Sequence, residues 1–222
     1  MKLYLATSNP GKLRELGALA QTEGFELASL PDYDRLPRAP EEDASFALNA
    51  LEKALHYSRL CDGLIVADDS GLVVDALGGG PGPHSARYAG PQATDADNNR
   101  KLLDELRGVP EAKRAARYVC VLALAREDRT LAVFSDSCEG RILEAPRGAG
   151  GFGYDPLFFF PPLGKTMAEL DVAEKNQHSH RGKAFKALLE YLRGPRPATR
   201  ERASRAVVYF EGFASGGAGS HE

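Results

Sequence analysis

Short apolar runs alternate with segments of helical period through the first half of this sequence, and a hairpin then breaks the alternation. Lys2 to Ala6 is an apolar run that reads as a buried strand. Thr7-Ser8-Asn9-Pro10-Gly11-Lys12 follows, where Asn9 suits a helix N-cap and Pro10 the first helical position. Leu13, Leu16 and Ala20 recur at helical spacing, and Gly24 ends the helix. Residues 25–30 suit a second strand and residues 44–60 a helix. Leu64 to Ala67 reads as a strand that ends at Asp68-Asp69-Ser70-Gly71, with Leu72-Val73-Val74 as another short strand. Residues 95–107 form a helix with Leu102, Leu103 and Leu106 on one face. Tyr118 to Ala125 and Thr130 to Ser135 are β-type runs around a charged turn, which predicts a hairpin. Residues 139–143 and 156–160 add strands, and a last helix covers 179–192. The pattern predicts an α/β fold with a mixed sheet.

Composition removes several classes. The 222 residues are 43% apolar and 27% charged, as in a globular protein with a real core. Lys and Arg number 28 against 31 Asp and Glu, so no general attraction to nucleic acid is expected. No apolar run reaches the roughly 18 residues of a membrane helix, and the N-terminus lacks the apolar stretch of a signal peptide. Cys61, Cys120 and Cys138 are odd in number and fit no zinc spacing, which predicts a reduced, cytoplasmic setting. Beyond Pro195 the chain turns Arg-rich and then Gly/Ser-rich. We expect one domain over 1–194 and a poorly ordered tail over 195–222.

Four places break local rules, which is where function is to be sought. Lys12 and Arg14 stand at a helix N-terminus, where cations are unfavourable unless an anion binds there. The bland alternative is a capped helix with a surface lysine. Lys175, His178, His180, Arg181 and Lys183 crowd the start of the last helix, and need a counter-ion that a triphosphate or nearby carboxylates could supply. Asp68-Asp69 ends a buried strand, and adjacent strand residues face opposite ways, so one of the two reaches a given site. Hard oxygen ligands suit Mg²⁺, which also prefers phosphate oxygens, and Glu41 or Glu42 could assist. Gly148-Ala149-Gly150-Gly151-Phe152-Gly153 matches a dinucleotide fingerprint in form, but Tyr154-Asp155-Pro156 after it opens no helix. Its aromatics better suit a shelf on which a base stacks.

Together the motifs resemble the inosine triphosphate pyrophosphatase family. The resemblance is carried by Ala6-Thr7-Ser8-Asn9-Pro10-Gly11-Lys12 with Glu15, and by Ala67-Asp68-Asp69-Ser70-Gly71-Leu72. Gly79-Gly80-Pro81-Gly82 through Ser85-Ala86-Arg87-Tyr88 follows, and then Gly150-Gly151-Phe152-Gly153-Tyr154-Asp155-Pro156. Glu174-Lys175-Asn176 with Ser179-His180-Arg181 completes the order. Two positions depart from the family pattern, at Asp43-Ala44 and Leu48-Asn49.

The resemblance, strongest to the family's bacterial branch, implies a long mixed twisted sheet flanked by helices, in two lobes around a central cleft. It implies Mg²⁺-dependent hydrolysis of ITP, dITP and XTP to the monophosphate and pyrophosphate, and a homodimer. Thr7, Ser8, Asn9, Pro10, Gly11 and Lys12 would hold phosphates, and Ser70 would touch the substrate. Asp69 would be general base and metal ligand, with Glu41 as second metal contact and Glu42 as the alternative. Phe152, Gly153, Tyr154 and Asp155 would form the nucleoside pocket, completed by Lys175, His180 and Arg181.

Overall fold

The computed structural model describes residues 1–40 and 44–194. Glu41, Glu42 and the tail from 195 lie outside the described residues. The chain runs β1 (Lys2–Ala6), α1 (Pro10–Thr22), β2 (Glu26–Ser29), α2 (Phe46–Leu60), β3 (Leu64–Val74) and α3 (Asp95–Glu105). It continues through β4 (Ala115–Arg126), β5 (Arg129–Ile142), β6 (Phe158–Phe160), β7 (Lys165–Thr166), α4 (Val172–His178) and α5 (His180–Leu192). One seven-stranded sheet results, in the order β2-β1-β3-β4-β5-β6-β7. β1 is parallel to both β2 and β3, and the remaining pairs are antiparallel. The sheet is therefore mixed, as the sequence pattern predicts.

The helices start where their capping residues stand. Asn9 Oδ1 accepts from the backbone N–H groups of Gly11 at 2.8 Å and Lys12 at 3.2 Å, with Pro10 as the first helical residue. Thr94 with Asp97 and Asp171 with Glu174 form capping boxes on α3 and α4. Ser179 caps α5 by accepting from Gly182 N at 3.1 Å.

Alternation along β3 assigns its side chains to two faces. Val66 packs with Leu5, Leu16, Leu122, Phe185 and Leu188 in the core under α1 and α5. Ile65 and Ala67 pack with Ala50, Ala54 and Tyr57 of α2 on the opposite face. A third core joins Leu72, Leu102, Tyr118 and Phe158 toward the far end of the sheet.

Two sequence expectations are corrected. The expected pair of short strands around Asp68-Asp69 is one continuous strand, because β4 supplies backbone partners from Ile65 to Val74. Likewise 130–135 and 139–143 merge into β5, held by β4 along its length. The acidic pair is thus mid-strand. It nevertheless lies past the last pairing of β1, which ends at Ala6 opposite Ala67.

Candidate active site

The pairing of β1 with β3 ends just before Asp68 and Asp69, which opens a slot in the sheet there, and residues 7–9 lead from the end of β1 into α1. In parallel α/β sheets, ligands bind in the crevice beyond the carboxyl ends of strands. Here the two carboxylates stand on either side of that crevice. Asp68 shares the parity of Val66 and faces α1 and α5; Asp69 shares that of Ala67 and faces α2.

On the Asp68 side lies a cavity lined by residues of seven separate segments. Asn9, Lys12, Ser70, Phe152, Gly153, Tyr154, Asp155, Lys175, His180 and Arg181 all border it. The structure so gathers predicted residues that lie up to 172 positions apart, Asn9 to Arg181, around one space. Thr7 stands behind them, its hydroxyl accepting from Asn9 N at 3.1 Å. Gly11 is needed where it stands: a Cβ there would come within 2.5 Å of the Phe152 ring.

The crowded cations are already paired within the chain. Lys12 Nζ donates to Asp68. Arg181 donates from Nε to Asp68 at 3.0 Å, from Nη1 to Glu15 at 2.7 Å and from Nη2 to Ser70 Oγ at 2.9 Å. Lys175 Nζ donates to Glu15 at 2.6 Å and to Asp155. Three cations and three carboxylates form one buried chain, so of the two counter-ions expected from the sequence the structure supplies the carboxylates. An exchange of partners is then open to a polyphosphate. His178 and Lys183 belong elsewhere: His178 lies tilted against Phe160 and Lys183 pairs with Asp136 at 2.7 Å.

Electrostatics separate the two aspartates. Burial alone would raise the Asp68 carboxyl, but Lys12 and Arg181 outweigh it and hold the group well below the usual range. Burial dominates at Asp69 and raises it, with Asn49 and Lys53 pulling the other way. Asn49 Nδ2 donates to Asp69 at 3.0 Å, and Lys53 Nζ donates to the Asp68 carbonyl at 3.2 Å. Lys12 also pulls the Asp69 carboxyl down, more weakly than burial raises it.

Asp69 fits a hard divalent cation. Its carboxylate is buried, and burial outweighs the pull of Asn49, Lys53 and Lys12 on it, which is the condition a metal ion relieves. Among the described residues no cluster of three His, Cys, Asp or Glu could hold a metal. Mg²⁺ asks for less, commonly one or two carboxylates completed by phosphate oxygens and water.

The nucleoside end is built on aromatics. Tyr118 stacks on His180 with ring centroids 4.7 Å apart, and its hydroxyl donates to Asp155 at 3.3 Å. Burial and then Arg181 hold His180 well below its usual value, so the ring is neutral at pH 7. Its Nδ1 is buried without a hydrogen-bond partner among the described residues. Phe152 lies near Lys175 Nζ at 4.9 Å and the Arg181 guanidinium at 5.3 Å.

Sequence reasoning gave no role to Asn49, Lys53 or Tyr118, and quoted Glu15 only within a motif. A signal existed for the first two. Asn49 and Lys53 are four apart, hence on one helix face, and share that face with buried Ala50, Ala54 and Tyr57. Polar residues on a buried helix stripe ask for a polar partner.

A cationic, aromatic-walled cavity beyond a parallel strand, with a desolvated carboxylate across the slot, defines a site for an anion carrying a flat ring. The chain belongs to the Ham1 family, whose model matches residues 3–191. It is 54% identical over 189 residues to a dITP/XTP pyrophosphatase of Geobacillus kaustophilus, covering 85% of this chain and 93% of that one. It is 51% identical over 199 residues to one of Thermus thermophilus, covering 89% and 95%. A solved HAM1 protein from Coxiella burnetii superposes with a TM-score of 0.77 at 37% identity, covering 88% of this chain and 100% of that one.

Proposed function

We propose that this enzyme hydrolyses the deaminated purine nucleoside triphosphates dITP, XTP and ITP to the monophosphate and pyrophosphate, and so cleanses the nucleotide pool. The relatives named above carry the dITP/XTP pyrophosphatase activity in their names. The observation that carries the reading is the division of the site across β3. The base cavity and its cations lie on one face, Asp69 on the other, and the end of β1 opens between them. A triphosphate lying across that opening sets its base among Phe152, Tyr118 and His180 and its phosphates past Lys12 toward Asp69.

In this reading Thr7, Ser8, Asn9, Gly11 and Lys12 hold the polyphosphate, with Pro10 fixing the turn. Lys12 trades its Asp68 partner for phosphate oxygens. Asp69 accepts the proton of the attacking water, a role that a raised carboxyl serves better than an ordinary one. Mg²⁺ on Asp69, with Glu41 as the further ligand, would neutralise phosphate charge and position the water. His180 and Arg181 face the purine 6-oxygen. Adenine places an amino donor there, so donors would meet donors, and such unpaired polar groups give strong discrimination. The same resemblance supports a cytoplasmic homodimer. No described helix is long and apolar enough to cross a membrane.

The test is a comparison of kcat/KM for dITP, XTP, dGTP and dATP with purified protein and Mg²⁺. dITP and XTP are expected to exceed the others by about 10² or more, the scale on which buried polar groups discriminate. Equal turnover of all four contradicts the reading, as does preference for dTTP or UTP.

A further inference from the structure

Helix α3 carries two side chains that grip the shelf residue Gly153 by its main chain. Asp95, at the first position of the helix, accepts from Gly153 N at 2.6 Å through Oδ2. Asn99, one turn on, donates from Nδ2 to Gly153 O at 2.8 Å and to Asp95 O at 2.8 Å. The two carbonyls fix which way the Asn99 amide points, and its Oδ1 is buried without a hydrogen-bond partner among the described residues. Both polar atoms of one peptide residue are thus held from outside its own loop. Gly153 has φ +61°, a backbone state that needs such support or glycine, and here has both.

The grip continues around the cavity. Asn98, the residue before Asn99, is buried and accepts from Ala89 N at 2.8 Å while donating to Ala86 O at 3.1 Å. Tyr154 O–H donates to Ser85 O at 2.8 Å. Asp95, Asn98, Ser85, Ala86, Gly153 and Tyr154 all border the cavity. The first turn of α3 therefore ties the 85–89 segment to the shelf that carries Phe152. The bonds made by Asp95, Asn98 and Asn99 go to none of Lys12, Lys175 and Arg181; the shelf meets that chain through Phe152 and Asp155.

We infer that Asp95 and Asn99 are positioning residues for the base pocket: they set Gly153, and with it Phe152 and Tyr154, for the purine, and leave the phosphate contacts alone. The inference rests on the proposed nucleotide function. It follows that their loss weakens recognition of the base and spares that of the polyphosphate. Asp95→Asn retains an acceptor oxygen for Gly153 N, so the conservative change should rescue what alanine loses.

The experiment measures binding of inosine monophosphate and of inorganic triphosphate by calorimetry, beside KM and kcat for dITP. Wild type, Asp95→Ala, Asp95→Asn and Asn99→Ala are compared. Asp95→Ala and Asn99→Ala are expected to raise the inosine monophosphate Kd and the dITP KM about tenfold, the scale of one lost hydrogen bond. Their inorganic triphosphate Kd and kcat stay near wild type, and Asp95→Asn binds inosine monophosphate nearly as wild type does. Unchanged inosine monophosphate affinity in both alanine variants overturns the inference, and so does equal weakening of both ligands. If Asp95→Asn loses as much as Asp95→Ala, the carboxylate charge rather than the grip on Gly153 matters, and the inference also falls. Should Asp95→Ala fail to fold, Asn99→Ala carries the same test. A wild-type protein that neither binds inosine monophosphate nor turns over dITP contradicts the proposed function itself, an outcome distinct from all of these.

Discussion

Asp68 and Asp69 are neighbours in β3, yet their carboxylates stand on opposite faces of the sheet. Asp68 is paired with Lys12 and Arg181 under α1 and α5; Asp69 meets Asn49 of α2. One residue step reverses the face of a strand, so the two acids are built for different work.

Asp69→Asn should lower kcat for dITP by about 10³-fold, within the range of a lost general base. Binding of ITP should persist, because Asn keeps the shape and the cation chain is untouched. Stopped turnover with retained calorimetric binding is the expected pair of results. Near-normal turnover removes Asp69 from the chemistry.

Asp68→Asn should instead cost stability. It strips Lys12 and Arg181 of a shared partner inside the protein, and breaking a buried ion pair in this way costs about 3–5 kcal/mol. Urea unfolding should show a lower midpoint at an unchanged slope. A midpoint equal to wild type would mean that Lys12 and Arg181 find other partners or water.

Arg181→Ala should raise KM for dITP about tenfold or more and bring the kcat/KM of dGTP and dATP closer to that of dITP. Three of its nitrogens hold Asp68, Glu15 and Ser70, which leaves N–H groups for the ligand. Unchanged ratios of kcat/KM among the three nucleotides refute a role in selectivity.

His180 makes stability depend on pH. Its folded value is depressed by burial and by Arg181, while the unfolded ring titrates near its ordinary 6.5. Below that pH the unfolded chain takes up a proton that the folded chain refuses, so stability falls as pH drops through about 6.5. Above about 7.5 both states are neutral there and this slope vanishes. Urea midpoints at pH 8 and pH 5.5 should differ for wild type, and differ less for His180→Gln. An equal difference in both proteins assigns the slope to other groups.

Much of this was legible in the sequence because local signals agreed with the fold. Asn9-Pro10 marks the start of α1, the runs around residue 127 give the β4–β5 hairpin, and Cys120 and Cys138 are buried as their strands require. The break predicted at Asp68-Asp69 did not occur. Local polarity suggested a strand end, but pairing with β4 carries the strand through, and Lys12, Arg181 and Asn49 satisfy the charges. Partners so far apart in sequence leave no local trace. The grip of Asp95 and Asn99 on Gly153 spans 58 and 54 positions and was equally invisible. The cations of α4 and α5 were found from their crowding at a helix start, whereas Glu15, which joins Lys175 to Arg181, looked like any helix residue.

The central claim is the bond that breaks. Purified protein is incubated with dITP, with and without Mg²⁺, and the products are resolved by phosphorus NMR. The account predicts deoxyinosine monophosphate and pyrophosphate in equal amounts, and neither product without the metal ion. Release of single phosphate with deoxyinosine diphosphate would place the attack at the terminal phosphoryl group and contradict it.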